Sequence, residues 1–241
     1  KIITGIRRCG KSFLLFNLFR QYLLEHGTDD KHIIQVNLED RRNKQLRDPD
    51  ALLHYIDSRM IDSGRFFILL DEIQMVKEFE DVLNSYLHVS NAEVYVTGSN
   101  AKFLSKDVIT EFRGRGWEIR VHPLSFGEYY ETVGGEKAEL LETYYKYGGL
   151  PAVVQLQSQE DKQNYLQEIY KTVYLKDVLE RNHLKNPEGM DELVKILASG
   201  IGSSTNIRRI ANTFKSAANM DIIPATLKKY LECLQDAFFI H

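Results

Sequence analysis

Gly5-Ile6-Arg7-Arg8-Cys9-Gly10-Lys11-Ser12 matches the pattern G-x-x-x-x-G-K-[ST], and its reading decides the fold. Two glycines let the backbone curl until successive N–H groups face one anion, and a helix starting at Lys11 adds the positive end of its dipole. Lys11 is then placed to reach the β- and γ-phosphates of a nucleotide, and the Ser12 hydroxyl to ligate Mg²⁺. The residues expected around the phosphates are Gly5, Ile6, Arg7, Arg8, Cys9, Gly10, Lys11, Ser12 and Phe13. The competing reading is an ordinary strand-to-helix turn. Position favours the phosphate loop, because Lys1–Thr4 reads as a short buried strand. Lys11–Glu25 reads as a helix with Phe13, Leu14, Phe16, Leu18, Tyr22 and Leu23 among its apolar positions.

Outward from the loop, strands and helices alternate. Ile33–Leu38 reads as a second strand, and Pro49 suits the start of a helix over Ala51–Ile61. Phe66–Leu70 is a continuous apolar run ending in Asp71, as expected of a central parallel strand buried on both faces. Lys77–Val89 reads as a helix, Glu93–Thr97 and Glu118–Val121 as further strands. Such alternation predicts an α/β, three-layer P-loop NTPase sandwich with a parallel sheet and right-handed crossovers. From Ser125 the pattern turns helical, with a break at Gly148-Gly149-Leu150-Pro151. Residues 159–183 read as one long helix whose aromatic stripe serves core packing. Helices near 190–199, 205–216 and 224–236 follow, then an apolar strand start at Phe238-Phe239-Ile240. The expected divisions are an ATPase core over 1–125, a helical lid or linker over 126–189, and a winged-helix-like domain over 190–241.

The 241 residues suffice for one full domain and a smaller one. Thirty-four acids against thirty-one Lys and Arg give a net charge of -3, which excludes a polycation built to coat nucleic acid. Cys9 and Cys233 lie far apart without metal-ligand spacing, so neither a disulfide scaffold nor a zinc ribbon is expected. The seven histidines form no metal-ligand pattern. No apolar run approaches the roughly twenty residues that span a bilayer. These points lead to the expectation of a cytoplasmic protein without membrane contact. The start at Lys1, inside an apolar run, reads as a fragment of a longer chain.

Three further stretches carry chemistry. Asp71 would hold Mg²⁺ and Glu72 would polarise the water attacking the γ-phosphate; strand-ending acids are also ordinary helix caps, and the phosphate loop tips the balance. Val94-Tyr95-Val96-Thr97-Gly98-Ser99-Asn100 ends a strand in a polar cluster, from which Thr97, Ser99 or Asn100 would face the γ-phosphate; Ser99 and Asn100 are the catalytic candidates. Arg113 and Arg115 stand in a glycine-punctuated loop, where guanidinium would neutralise charge on the transferring phosphoryl as an arginine finger. Solvated surface arginine is the alternative.

Together, Gly5 to Ser12, Leu70 to Gln74, Thr97-Gly98-Ser99, Gly114-Arg115 and Pro123-Leu124-Ser125-Phe126 resemble the AAA_14 family of AAA+-type ATPases of bacteria and archaea, with a following DUF4143 region. The resemblance implies an AAA+ core related to signalling and origin-recognition ATPases, then a helical and winged-helix segment. It implies phosphate and Mg²⁺ roles for Lys11 and Ser12, metal and water roles for Asp71 and Glu72, and the Gly-Arg position for Arg115. Tyr147-Gly148-Gly149-Leu150-Pro151 is similar to the glycine-x-proline lid motif, which places Pro151 near the adenine. The family's C-terminal region is expected to be absent from this stretch of chain.

Residues 203–230 carry Arg208, Arg209, Lys215, Lys228 and Lys229 against Asp221 alone, and two amphipathic helices here read as a helix-turn-helix. Arg208, Arg209, Lys228 and Lys229 are candidate DNA contacts; lid or protein-contact roles compete. The leading expectation is an ATP- and Mg²⁺-dependent hydrolase acting as a conformational switch, with a homo-oligomer supplying Arg115 if the finger acts between subunits. A nucleotide-modulated DNA-binding regulator and a slow-hydrolysing scaffold are the alternatives.

Overall fold

Side chains along the sheet alternate between two faces, and both faces are apolar. The computed structural model describes residues 1–98, 117–184, 186–204, 206–217 and 222–240. Strands β1 (Ile2–Thr4), β2 (Ile33–Asn37), β3 (Phe66–Asp71), β4 (Ala92–Thr97) and β5 (Glu118–Arg120) pair in parallel, in the order β2-β3-β4-β1-β5. Ile34, Val36, Phe66, Ile68, Leu70 and Val96 meet Leu52 and Ile56 of helix α2 (Pro49–Asp57) and Val82, Leu83 and Tyr86 of helix α3 (Phe79–Tyr86). Ile3 and Leu69 pack instead with Leu15 and its neighbours on helix α1. Helix α1 runs through Lys11–Phe13, a π-type stretch over Leu14–Phe19, and Arg20–Glu25. These are the three layers of a P-loop NTPase fold, with every strand's C-terminal end on one edge.

Local chemistry sets the helix limits. Asp48 accepts from the Ala51 N–H at 3.0 Å and Pro49 fills the first turn of α2. That helix stops at Asp57, short of the expected Ile61. Helix α3 spans less than the expected Lys77–Val89, because a 3-10 turn over Ile73–Met75 and a left-handed Glu78 (φ 50°) precede it. Ser125 and Glu128 form a reciprocal capping box at the start of α4 (Phe126–Val133).

Contacts divide the chain into two compact units, Lys1–Tyr144 with Gly148–Ala152, and Tyr145–Tyr147 with Val153–His241. Helices α5 (Lys137–Tyr147) and α6 (Pro151–Gln155) straddle the crossings. The second unit contains α7, α8 (Pro187–Ser199), α9 (Ile207–Ala217) and α10 (Pro224–Asp236). Within α7, a π-type stretch over Tyr170–Leu175 links Gln159–Ile169 to Lys176–Arg181, so the long helix expected there carries a local change of pitch. Val178, Met190, Leu193, Ile210, Phe214, Leu227, Tyr230, Cys233 and Leu234 form this unit's core.

The strand expected at Phe238–Ile240 is instead a helix-ending turn. Phe238 takes a left-handed backbone (φ 57°), its N–H donates to Gln235 O at 2.8 Å, and the Phe239 N–H donates to Leu234 O at 2.9 Å. The turn buries Phe238 and packs Phe239 and Ile240 against the helical core, a stronger demand than their strand propensity. Among the described residues from 187 onward there is no strand. Trp117, just before β5, is 68% exposed, with Lys1 Nζ 5.4 Å from its ring centre.

Candidate nucleotide site

The loop from Gly5 to Gly10 joins β1 to α1 at the sheet's C-terminal edge. Its path needs left-handed or glycine-only conformations at Gly5 (φ 143°), Arg8 (φ 65°) and Gly10 (φ 105°). At Gly5 a Cβ would lie 2.1 Å from Val121 O, so the loop passes against the chain leaving β5. Cys9 closes the same contact, its thiol donating to Val121 O at 3.4 Å. Cys9 is buried, and burial pushes its thiol pKa up, so little reactive thiolate forms.

Lys11 is 4% exposed, and its ammonium donates to Gly5 O at 2.9 Å and Ile6 O at 3.0 Å. The loop's own carbonyls thus hold the charge at its centre. Phe13 lies on the open side of α1, 59% exposed. Pro151 Cγ comes within 3.8 Å of the position a Cβ on Gly10 would take, which brings Pro151 to the loop. Leu124 N–H donates to Gly149 O at 2.8 Å, and the Tyr144 hydroxyl donates to Leu124 O at 2.8 Å, fastening the stretch that carries Pro151.

Strand register brings the carboxylates to the loop. Leu70 pairs with Val96 and Ile3 with Thr97, so Asp71, Thr97 and the end of β1 stand side by side. Ser12 Oγ donates to Asp71 Oδ1 at 2.9 Å, and Thr97 Oγ1 donates to the same oxygen at 2.5 Å. Asp71 is 2% exposed; burial raises its carboxyl pKa against the opposing pull of these two hydroxyls. Thr97 Oγ1 also accepts from the Glu72 N–H at 2.9 Å. Glu72 itself has a left-handed backbone (φ 55°), and Gln74 Nε2 donates to Glu72 Oε2.

Lys11, Ser12, Asp71 and Glu72 therefore meet at one edge. Ser99, Asn100 and Arg115 lie outside the described residues. Thr97, one of three polar residues considered at this strand end, ties both carboxylate positions; the signal was its place as the last residue of an apolar strand. Gln74 carried no separate signal. Arg208, Arg209, Lys228 and Lys229 are exposed on α9 and α10, with Arg209 Nη1 donating to Ser204 O at 3.1 Å and Lys228 Nζ 3.9 Å from Glu232 Oε1.

Ser12 and Asp71 suit a hard cation: a hydroxyl and a carboxylate oxygen 2.9 Å apart, the acid bonded to hydroxyls in its two hydrogen bonds given above. No cluster of three or more His, Cys, Asp or Glu able to hold a metal exists among the described residues. A nucleotide-bound Mg²⁺ needs none, because phosphates and water complete its shell. Among the described residues no helix is long and apolar enough to cross a membrane.

Sheet and loop together have the P-loop NTPase fold. The chain belongs to the AAA_14 family of AAA domains, whose family model matches residues 1–130, more than half of its length. Residues 138–241 match DUF8612, a domain of unknown function, which corrects the expected DUF4143 region. An uncharacterized protein of Haemophilus influenzae is 31% identical over the whole chain, and the uncharacterized protein MJ1544 of Methanocaldococcus jannaschii 32% identical. The chain spans 61% and 55% of the lengths of these two relatives. Similar solved structures include the Aeropyrum pernix ORC2 protein in its ADPNP-ADP complexes (13% identity, TM-score 0.43, covering 98% of this chain and 79% of that one). AMPPCP-bound DnaA from Aquifex aeolicus is another (12% identity, TM-score 0.41, 97% and 81%).

Proposed function

We propose that this chain binds ATP with Mg²⁺ and hydrolyses its γ-phosphate, using the cycle as a conformational switch. The observation that carries the reading is the hydrogen-bonded run Ser12–Asp71–Thr97–Glu72 beside a loop that buries Lys11. The loop N–H groups and the N-terminus of α1 receive the phosphate oxygens. Lys11 exchanges two backbone carbonyls for phosphate, a stronger partner for an ammonium. Ser12 and Asp71 are the residues to hold Mg²⁺, which when bound neutralises charge on the β- and γ-phosphate oxygens.

Glu72 accepts a proton from water as that water's oxygen attacks the γ-phosphorus and the bond to the ADP oxygen breaks. Thr97 holds the Glu72 backbone, and positioning of this kind supplies much of the rate. Arg115 as a finger, in cis or from a neighbouring copy, and Ser99 or Asn100 facing the γ-phosphate complete the proposal from the sequence side.

Titrating a fluorescent ATP analogue into wild type and Lys11→Ala, with Mg²⁺ present, tests the binding half. The wild type binds and Lys11→Ala loses at least about a hundredfold in affinity, the loss of a buried charge-assisted contact. Equal affinity in the two proteins removes Lys11 from the site.

A further inference from the structure

Gln74 sits two residues beyond the proposed general base, on the 3-10 turn Ile73–Met75 that ends β3. Its amide has one end on Glu72 Oε2, through Nε2, while its other end, Oε1, is buried with no hydrogen-bond partner among the described residues. The orientation of this amide follows from chemistry: turned over, it would set a carbonyl oxygen against a carboxylate oxygen, two acceptors face to face. Among the described residues the amide therefore keeps a donor on Glu72 while its own acceptor goes unmatched. Buried orphaned acceptors are costly and uncommon, and they gather where function demands them.

Glu72 is already fixed at its backbone, by the left-handed turn and by the Thr97 Oγ1 that accepts its N–H. A glutamate side chain has three torsions that together place its carboxylate, and the Gln74 donor holds one of the two Glu72 carboxylate oxygens.

We infer that Gln74 is a positioning residue for hydrolysis: its amide holds the Glu72 carboxylate in the rotamer that activates water. The inference rests on the hydrolytic reading above. It commits Gln74 to the chemical step and to no part in binding ATP.

The test is steady-state ATP hydrolysis and ATP-analogue binding in wild type, Gln74→Met and Gln74→Leu, each also combined with Glu72→Gln and followed in single turnover. Both apolar variants keep the bulk of the side chain, and whichever folds serves. The expected result is a kcat lowered about tenfold to a hundredfold, the cost of a misplaced catalytic group, with KM and analogue affinity within about twofold of wild type. In the Glu72→Gln background the Gln74 substitution should add nothing, because its effect passes through the Glu72 carboxylate. A structural role would lower both backgrounds alike, and that additivity overturns the inference. Wild-type turnover with an unchanged kcat in the Gln74 variants overturns this inference alone. No turnover by wild type overturns it together with the hydrolytic reading.

Discussion

Asp71 is buried as a carboxyl whose charged form the protein destabilises, and two hydroxyls only partly offset that. A carboxyl whose folded pKa is raised costs stability once pH climbs past its ordinary value of 3.8. The cost is complete above the folded value and absent where both states are protonated. Asp71→Asn keeps an oxygen for Ser12 and Thr97 and removes the charge. Nucleotide-free Asp71→Asn should therefore melt higher than wild type at pH 7, with the gain shrinking as pH falls through the folded value toward 3.8, while MgATP turnover is lost. Thermal melts over that range check it, and a lower midpoint at pH 7 contradicts the account of Asp71. Such a trade of stability for a metal position is expected of functional sites.

At this scale much was legible. Lys11, Ser12, Asp71 and Glu72 follow from fixed spacing within a loop and at a strand end. Thr97 was legible only as one of three polar residues at its strand end; its bonds to Asp71 and Glu72, like the bond from Gln74 to Glu72, depend on register between β3 and β4 and on a side-chain torsion, neither of which leaves a local pattern.

Among the elements, the phosphate loop depends on its neighbours as much as on its own glycines. Gly5 holds φ 143° with Val121 O where a Cβ would stand, and Cys9 bonds that same oxygen. Gly5→Ala should thus dislodge the loop from the chain after β5, lowering stability by about 2 kcal/mol or more and abolishing nucleotide binding. Denaturant titration and analogue binding measure both effects, and a variant with wild-type midpoint and affinity would contradict the packing described. The strands were readable from their apolar runs, whereas helix limits were less so. The 3-10 turn at Ile73–Met75 and the π-type stretches in α1 and α7 arise from tertiary fitting that periodicity does not encode. Phe238-Phe239-Ile240 has strand propensity, yet packing of Phe239 and Ile240 against the helical core ends α10 in a turn instead.

For the molecule as a whole, the sheet order places β4 between the loop strand β1 and the carboxylate strand β3, so the reacting groups come from three different strands. That arrangement belongs to the unit of Lys1–Tyr144 with Gly148–Ala152, and the helical unit matches a different family. The net charge of -3 averages over both, and Arg208, Arg209, Lys228 and Lys229 are exposed on α9 and α10, with Lys228 beside Glu232. The central claim is that this edge hydrolyses ATP with Glu72 as the base. Phosphate release at saturating ATP and Mg²⁺, compared between wild type and Glu72→Gln, tests it most directly. The account predicts steady release by wild type and a rate lower by about a hundredfold or more in Glu72→Gln, the usual worth of a general base, with ATP still bound. Equal rates in the two proteins would contradict it.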